Sequence, residues 1–212
     1  MQGDKTGDVP LSDILKAYLK EKYNKPGNVY LGVVHRLDRP VTGVVLFAKT
    51  SKALPRLNKL FAEHEKVRKT YWAIVGKEND GSSKMEDDGV WHTSTHWLTR
   101  NEKANTARAY DREVPNSKKA VLKYRFIAHS DRYRLVEVEL MTGRHHQIRC
   151  QLAKMGCPIK GDLKYGAPRS NPDGSICLHA RKLELEHPVT HELISITAPV
   201  PQNTLWQAFE KD

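Results

Sequence analysis

The middle of the chain, residues 90–139, has the pattern of successive strands, and this feature most constrains the fold. From Leu135 to Leu140 apolar and charged side chains largely alternate, as in a strand with one buried face. Helical patterns are too few and come too late in the chain to form alternating βαβ units. The order therefore predicts an α+β fold, a mixed and mostly antiparallel sheet with helices packed on it.

Periodicity and turn residues place the other elements. A helix is predicted over residues 12–22, and a second helix follows Ser51, a residue that can cap its first turn. A third helix is predicted over residues 146–155 and a fourth from Pro201 onward. The remaining predictions are strands at 30–34, 44–48, 69–76, 120–128, 133–140, 176–185 and 193–196, a polar turn at 35–43 and an acidic surface loop at 78–89.

Composition narrows the classes of partner and compartment. The 212 residues fit one domain, residues 1–212, and no shift in composition marks a boundary. A net charge of +10 favours a polyanionic partner, although charge alone leaves a merely soluble basic protein equally open. No apolar run approaches the roughly 20 residues of a membrane helix, and no secretory signal is visible, so we expect a cytoplasmic protein that does not bind membranes. The three cysteines fit neither a disulfide framework nor a zinc knuckle.

The densest polar cluster within apolar sequence surrounds Asp38, between two predicted strands. The flanking cations Arg36 and Arg39 would favour its ionised form, and a buried ionised carboxylate can be a nucleophile, a base or a ligand. A turn aspartate held in a structural ion pair explains the same pattern. The residues alone leave these readings open.

Two further segments are candidates for chemistry. Residues 142–149 run from a strand into a helix, where free N–H groups suit an anion and Arg149 can form a bidentate pair with a carboxylate. The alternative is a solvated basic helix face. In residues 69–75, Tyr71 can stack on a base, or it can be a core residue with a polar end.

Ten histidines raise the question of a metal, and no ligand set is predicted to converge. His187 and His191 have the spacing of a zinc helix, but Pro188 and the flanking strand pattern favour a hairpin turn. A metal-dependent hydrolase is therefore disfavoured, and no metal site is predicted.

Four motifs in register resemble the RluA-type pseudouridine synthases, from about residue 32 to residue 199. They are residues 34–38 (VHRLD), 68–73 (RKTYWA), 142–149 (TGRHHQIR) with the downstream Gly156, Pro158, Gly161, Asp162, Tyr165 and Gly166, and 176–180 (ICLHA) with His187 and Pro188. The resemblance implies the pseudouridine synthase fold with a central catalytic cleft, acting as a monomer on ribosomal or transfer RNA, with no cofactor.

The resemblance also implies roles for individual residues. Asp38 would be the nucleophile, Arg149 would pair with it, and Tyr71 would pack on the target base and serve in the later proton removal. Arg36 would fill the space left by the flipped uridine, and Leu178 would line the uracil pocket. The other residues implied in substrate binding are His35, Arg144 and Gln147.

The sequence departs from the family pattern in two places. Val41 and Thr42 stand where the family usually has Thr and Ser, which we expect to alter turn geometry more than chemistry. We expect the chain to lack the additional strand, the Lys-Pro motif and the small RNA-binding domain that usually precede the catalytic domain. A non-catalytic RNA-binding protein that keeps the fold is therefore the alternative to an enzyme.

Overall fold

An eight-stranded mixed sheet carries most of the fold in a computed structural model that describes residues 8–63, 66–77 and 83–210. Seven of the strands follow the order β10-β9-β4-β8-β7-β5-β6, and β2 pairs with β9 in parallel. The described residues form ten strands: β1 Gly32–Val33, β2 Thr42–Gly43, β3 Phe47–Ala48, β4 Val67–Gly76, β5 His92–Asn101, β6 Thr106–Tyr110, β7 Lys118–His129, β8 Tyr133–Leu140, β9 Leu178–Glu186 and β10 Leu193–Thr197.

The helices are fewer than the strands and each is short. They are α1 Leu11–Lys22, α2 Ala53–Ala62, α3 Gln147–Lys154 and α4 Thr204–Glu210, with a 3₁₀ turn at Leu163–Tyr165. The pairs β4–β8, β8–β7, β7–β5 and β5–β6 are all antiparallel, so the predicted α+β class is confirmed. No helix in the described ranges is both long and apolar enough to cross a bilayer.

The centre of the sheet shows why the alternating pattern forms a strand. Val136 and Val138 on β8 are fully buried, whereas Glu137 between them is partly exposed. The Glu137 carboxylate accepts two hydrogen bonds from Arg125 on the neighbouring β7, at 2.8 and 2.6 Å. Apolar side chains thus fill one layer, and cross-strand ion pairs cover the other.

Several predicted boundaries need correction. The strands expected at 30–34 and 44–48 shrink to the two-residue pairing of Gly32–Val33 with Phe47–Ala48, and the expected turn at 35–43 contains β2. The N-cap of α2 is Lys52 and not Ser51, and the Oγ1 of Thr50 accepts a hydrogen bond from the Ala53 N–H at 3.1 Å. The C-terminal helix begins at Thr204, after Pro201. Residues 83–89 of the predicted acidic loop are irregular, and residues 78–82 lie outside the described residues.

The chain divides into two compact units. The first comprises the described residues up to Arg39, together with Val45–Val67 and Leu185–Ile194, and the second comprises Pro40–Val44, Arg68–Glu184 and the described residues from Ser195. In the first unit α2 packs on β3, with Leu57 buried. The second unit contains β4 to β8 and α3, which packs on β5 and β6. The expectation of one catalytic domain stays a prediction.

Candidate active site

Asp38 lies in irregular backbone between β1 and β2, and its side chain is half-buried. The sequence-based expectation of a buried carboxylate is therefore too strong, because the short flanking strands leave this segment partly open to solvent. Arg36 is exposed, and the guanidinium of Arg39 pairs with Asp8.

His35 is held firmly within the first unit. Its Nε2 accepts a hydrogen bond from the Leu46 N–H at 3.0 Å, and its ring stacks on Phe61 with centroids 4.9 Å apart. These contacts fix the backbone three residues before Asp38. They give His35 a structural role, and its implied role in substrate binding stays a prediction.

The segment that follows Asp38 is anchored in the second unit. The Pro40 carbonyl accepts from the Ile176 N–H at 3.0 Å, and the Val44 N–H donates to the Ala180 carbonyl at 2.9 Å. Between these bonds Thr42 Oγ1 lies 2.8 Å from Nδ1 of the buried His179. The hydroxyl that the sequence retains at Thr42 therefore joins β2 to β9.

Gly43 is required by the closeness of this pairing. Its φ is +116°, and a Cβ placed on it would lie 2.3 Å from the Ala180 carbonyl oxygen. Any side chain would therefore both strain the backbone and collide with β9.

Tyr71 lies on β4 opposite Val138 of β8, and its side chain is almost completely buried. Ala73 and Val75, on the same face of β4 as Tyr71, are also buried. Lys69, two residues before Tyr71, shares its face of the strand, and burial lowers the pKa of its ammonium group.

Trp72 points to the other side of β4. Its Nε1 donates to Glu137 Oε1 at 3.3 Å, and the guanidinium of Arg181 covers its ring at 4.3 Å. This face of the strand therefore carries a charged network distinct from the surroundings of Tyr71.

Arg149 forms a bidentate ion pair with a carboxylate, one of the two possibilities that the sequence left open. Its Nε and Nη2 donate to the two carboxylate oxygens of Asp162 at 2.7 and 2.8 Å, and both side chains are buried. The reading of this helix as a solvated basic face is therefore wrong. The pairing of Arg149 with Asp38 stays a prediction.

Tyr165 and His146 extend this network. The Tyr165 ring lies 5.1 Å from the Arg149 guanidinium, and its hydroxyl accepts from the Ala107 N–H and lies 2.8 Å from His146 Nδ1. Burial raises the pKa of Tyr165 to about 12, so the hydroxyl keeps its proton at neutral pH. From the sequence, no role was assigned to Asp162 or Tyr165. Their place in the third motif was the one feature of the sequence that could have indicated a role.

Gln147 holds the turn that leads into α3. Its Oε1 accepts from the Thr142 hydroxyl at 2.8 Å and from the Arg144 N–H at 3.0 Å, and its Nε2 donates to the Val121 carbonyl at 3.1 Å. The Arg144 side chain is exposed and its Nε donates to the Lys119 carbonyl. Both residues thus have structural partners, and their implied contacts with substrate stay predictions.

Leu178 is buried at the start of β9. The preceding Cys177 is tied to β4 by its carbonyl, which accepts from the Ile74 N–H at 2.9 Å. Leu178 therefore enters β9 directly after a contact with the strand that carries Tyr71. All three cysteines are buried and free.

The histidines that resembled a zinc helix lie in a turn. The His187 N–H donates to the Glu192 carbonyl at 2.8 Å, which confirms the hairpin reading. Metal-type side chains do converge in the second unit, contrary to expectation, where ligand atoms of Glu86, Asp88 and His92 lie within 4.8 Å of one another. The two carboxylates are exposed, and the hydrogen bond with Asp88 raises the pKa of His92, so the protonated form of His92 pairs with Asp88.

The site residues thus belong to two groups. His35, Arg36 and Asp38 are in the first unit, whereas Tyr71, Arg144, Gln147, Arg149 and Leu178 are in the second. The second group contains the buried and oriented guanidinium of Arg149 and the buried Tyr71. The first group contains the Asp38 carboxylate, which is partly accessible to solvent. A carboxylate can attack an electrophilic carbon, and a fixed guanidinium can orient or stabilise an anion.

Comparisons with known proteins agree on one family. The family model for RNA pseudouridylate synthase matches residues 4–154. The chain is 36% identical to the tRNA pseudouridine synthase C of Salmonella typhimurium, over 77% of this chain and 66% of that protein. It is 32% identical to the ribosomal large subunit pseudouridine synthase D of Vibrio cholerae, over 81% of this chain and 53% of that protein. The chain therefore spans less than two thirds of the length of these relatives.

A solved structure shows the same fold. The human RNA pseudouridylate synthase domain containing 4 superposes with a TM-score of 0.73 at 24% identity, covering 96% of this chain and 84% of that one.

Proposed function

The chain belongs to the RNA pseudouridylate synthase family, and from this premise we propose that it isomerises a uridine in RNA to pseudouridine. The observation that supports this most directly is the extent of the family match, because residues 4–154 include Asp38, Tyr71 and Arg149. The reaction is an isomerisation, so no atom is gained or lost overall. The proposed steps involve no net oxidation or reduction and include no cofactor.

Asp38 is the nucleophile in this proposal. Its carboxylate attacks either the anomeric carbon of the ribose or the pyrimidine ring, and the glycosidic C–N bond breaks. The uracil then rotates, and its C5 bonds to the anomeric carbon as the covalent bond from Asp38 breaks. C5 then loses its proton, and N1, which the broken glycosidic bond has left free, gains one. The partial exposure of Asp38 supports this role, since a nucleophile for RNA needs access from outside.

In this proposal Arg149 acts on the nucleophile and Tyr71 acts on the uracil base. Arg149 pairs with Asp38 and orients its carboxylate, and Tyr71 packs on the uracil and serves in removal of the C5 proton. The ion pair with Asp162 supports the role of Arg149, because it fixes the plane of the guanidinium before substrate arrives. Leu178 lines the uracil pocket.

The target uridine must leave its stack to reach Asp38. Arg36 is exposed and fills the vacated space, and His35, Arg144 and Gln147 assist in holding the nucleotide. The substrate in this proposal is transfer or ribosomal RNA, as the names of the two relatives suggest. The proposal also has the protein act as a monomer in the cytoplasm.

The Asp38→Asn variant tests the proposal. It keeps the shape of the side chain but not its charge, so we expect loss of at least about 1,000-fold in pseudouridine formation with little change in RNA affinity. The measurement is release of tritium from RNA that carries [5-³H]uridine, because only formation of the new bond at C5 frees the label. Asp131→Asn, on an exposed turn, is the matched control and should keep full activity.

Two outcomes would contradict the proposal in different ways. Pseudouridine made by the Asp38→Asn protein would refute the nucleophile assignment. A wild-type protein that binds RNA but releases no tritium from transfer or ribosomal RNA would indicate the non-catalytic alternative. Maps of pseudouridine in both RNA classes, from cells with and without the gene, would identify the target.

A further inference from the structure

Two half-exposed tyrosines at the end of α1 stand among lysines. Tyr18, on the amphipathic helix α1, is 52% exposed, and Tyr23, directly after it, is 48% exposed. Lys22, Lys25 and Lys49 surround them. We call these five residues the tyrosine–lysine surface, and all of them belong to the first unit.

The lysines contact the rings themselves. The Lys22 ammonium lies 5.3 Å from the centroid of the Tyr18 ring and 5.9 Å from that of the Tyr23 ring, so this one cation is near both rings. Lys25 and Lys49 lie 5.9 and 4.6 Å from the centroid of Tyr23. Each tyrosine hydroxyl also accepts from a lysine, Tyr18 from Lys22 at 3.0 Å and Tyr23 from Lys49 at 3.1 Å.

The charge of this surface is not neutralised. Within residues 8–63, 66–77 and 83–210, none of the three lysines forms an ion pair with a carboxylate. The effect on the tyrosine is visible, because the hydrogen bond from Lys49 lowers the pKa of the Tyr23 hydroxyl. Aromatic rings beside uncompensated ammonium groups offer a stacking platform and phosphate contacts together.

We propose that the tyrosine–lysine surface binds a single-stranded segment of the RNA substrate, with bases stacked on Tyr18 and Tyr23 and phosphates on the lysines. This inference rests on the proposed function, since it assigns to the same RNA a contact outside the catalytic residues. A base stacks on any aromatic face, so the surface contributes affinity without reading sequence.

RNA fits the arrangement better than a membrane surface. A helix that lies on a bilayer carries its apolar residues on one face and its lysines on the other. Here the lysines lie against the aromatic rings, and Lys49 comes from outside α1. Because aromatic and cationic side chains are intermixed on the tyrosine–lysine surface, it favours the stacked bases and phosphates of RNA over the acyl chains of a membrane.

Binding of a fluorescent twelve-residue oligouridylate to the full chain tests the inference. We expect the double variant Tyr18→Leu/Tyr23→Leu to weaken binding about tenfold, because base–aromatic stacking is removed while apolar bulk is kept. Tyr30→Leu is the matched control, since Tyr30 is a half-exposed tyrosine of the same unit with no lysine over its ring in the described residues. Its affinity should equal that of the wild type.

The lysines are tested by the dependence of binding on salt. We expect the triple variant Lys22→Gln/Lys25→Gln/Lys49→Gln to lower the slope of log Kd against log salt by up to about 2, at about 0.7 for each phosphate that the variant no longer neutralises. The tyrosine variant should keep the wild-type slope. All five side chains are at the surface, so circular dichroism should show each variant folded.

The outcomes separate this inference from the proposed function. Unchanged oligouridylate binding in the tyrosine variant overturns the inference, as does a variant that loses binding to phosphatidylglycerol vesicles and not to RNA. If the tyrosine variant loses oligouridylate affinity while the wild type releases no tritium from [5-³H]uridine RNA, the inference stands and the proposed function fails. If the wild type releases tritium at saturating RNA, and the Tyr18→Leu/Tyr23→Leu variant binds oligouridylate as tightly as the wild type, the proposed function stands and the inference fails.

Discussion

The buried guanidinium of Arg149 is held in one orientation by its neighbours. Its guanidinium cannot lose its proton, so burial demands a fixed anion, and Asp162 supplies two oxygens in the plane of the fork. The Tyr165 ring packs on the guanidinium at 5.1 Å. The cation is thus oriented by groups that are in place without substrate, which is the arrangement expected of a preorganised site.

Asp162→Asn should destabilise the protein by about 3 kcal/mol, because a neutral amide replaces the buried carboxylate that forms the bidentate ion pair with Arg149. Chemical denaturation of the variant and the wild type measures the change in the free energy of unfolding. The exposed Asp131→Asn change should cost less than about 0.5 kcal/mol. Equal stability of the Asp162 variant and the wild type would show that this ion pair contributes nothing to the fold.

His96 makes stability depend on pH. Burial lowers the pKa of His96, and the Gln151 amide nitrogen lies 3.0 Å from its Nδ1, where an N–H donates to an unprotonated ring nitrogen. The folded protein therefore takes up this proton less readily than the unfolded chain. The contribution of His96 is present above the ordinary histidine pKa of about 6.5 and is lost as pH falls below it.

We expect the free energy of unfolding to fall between pH 7 and pH 5, and His96→Gln to reduce that fall. Burial also lowers the pKa of His179, so part of the dependence should remain in the variant. Denaturation curves at several pH values provide the test. An identical pH dependence in variant and wild type would rule out His96 as a contributor.

At the scale of elements, the short strand β2 matters more than its length suggests. It pairs Thr42 with His179 and Gly43 with Ala180 in parallel, and it begins four residues after Asp38. The strand anchors the backbone that leads from the proposed nucleophile into the sheet. Its fit depends on the absence of a side chain at Gly43.

Gly43→Ala should destabilise the protein by about 3 kcal/mol, since the new methyl group meets the Ala180 backbone and the φ of +116° disfavours alanine. Two controls separate these causes in denaturation experiments. Gly174→Ala has a φ of +71° but open space, and we expect about 1 kcal/mol; Gly27→Ala has neither constraint and should be neutral. A Gly43 variant no less stable than the Gly174 variant would contradict the close approach to β9.

At the scale of the whole molecule, the charge of +10 is spread in short groups along the sequence. A spread of this kind gives a broad positive potential, which attracts phosphates and positions RNA without reading it. Specificity for one uridine must then come from RNA shape and from the contacts around the flipped base.

The affinity for transfer RNA transcripts should therefore fall at least about tenfold between 50 and 200 mM salt, because each phosphate contact releases counterions. Fluorescence anisotropy over a salt series measures the slope. A flat response would show that the positive charge of the protein does not contact phosphates.

Local features of the sequence were enough to predict much of the fold. The alternation in residues 133–140 gave β8 its bounds, and turn residues gave the hairpin at His187. The least accurate predictions concern residues 30–48, where strands of two residues are too short to show a period. The motif around Arg149 left a bidentate carboxylate pair and a solvated helix face both open, and it did not indicate Asp162 as a partner.

The sequence by itself determined which segments become strands and helices and which residue types carry the chemistry, because periodicity and motif spacing act between near neighbours. The tertiary structure decided that Asp162 holds Arg149, that Gly43 lies against Ala180, and that Lys49 joins the tyrosines of α1. These pairs are separated along the chain, and only packing of the whole sheet and its helices brings their atoms within bonding distance.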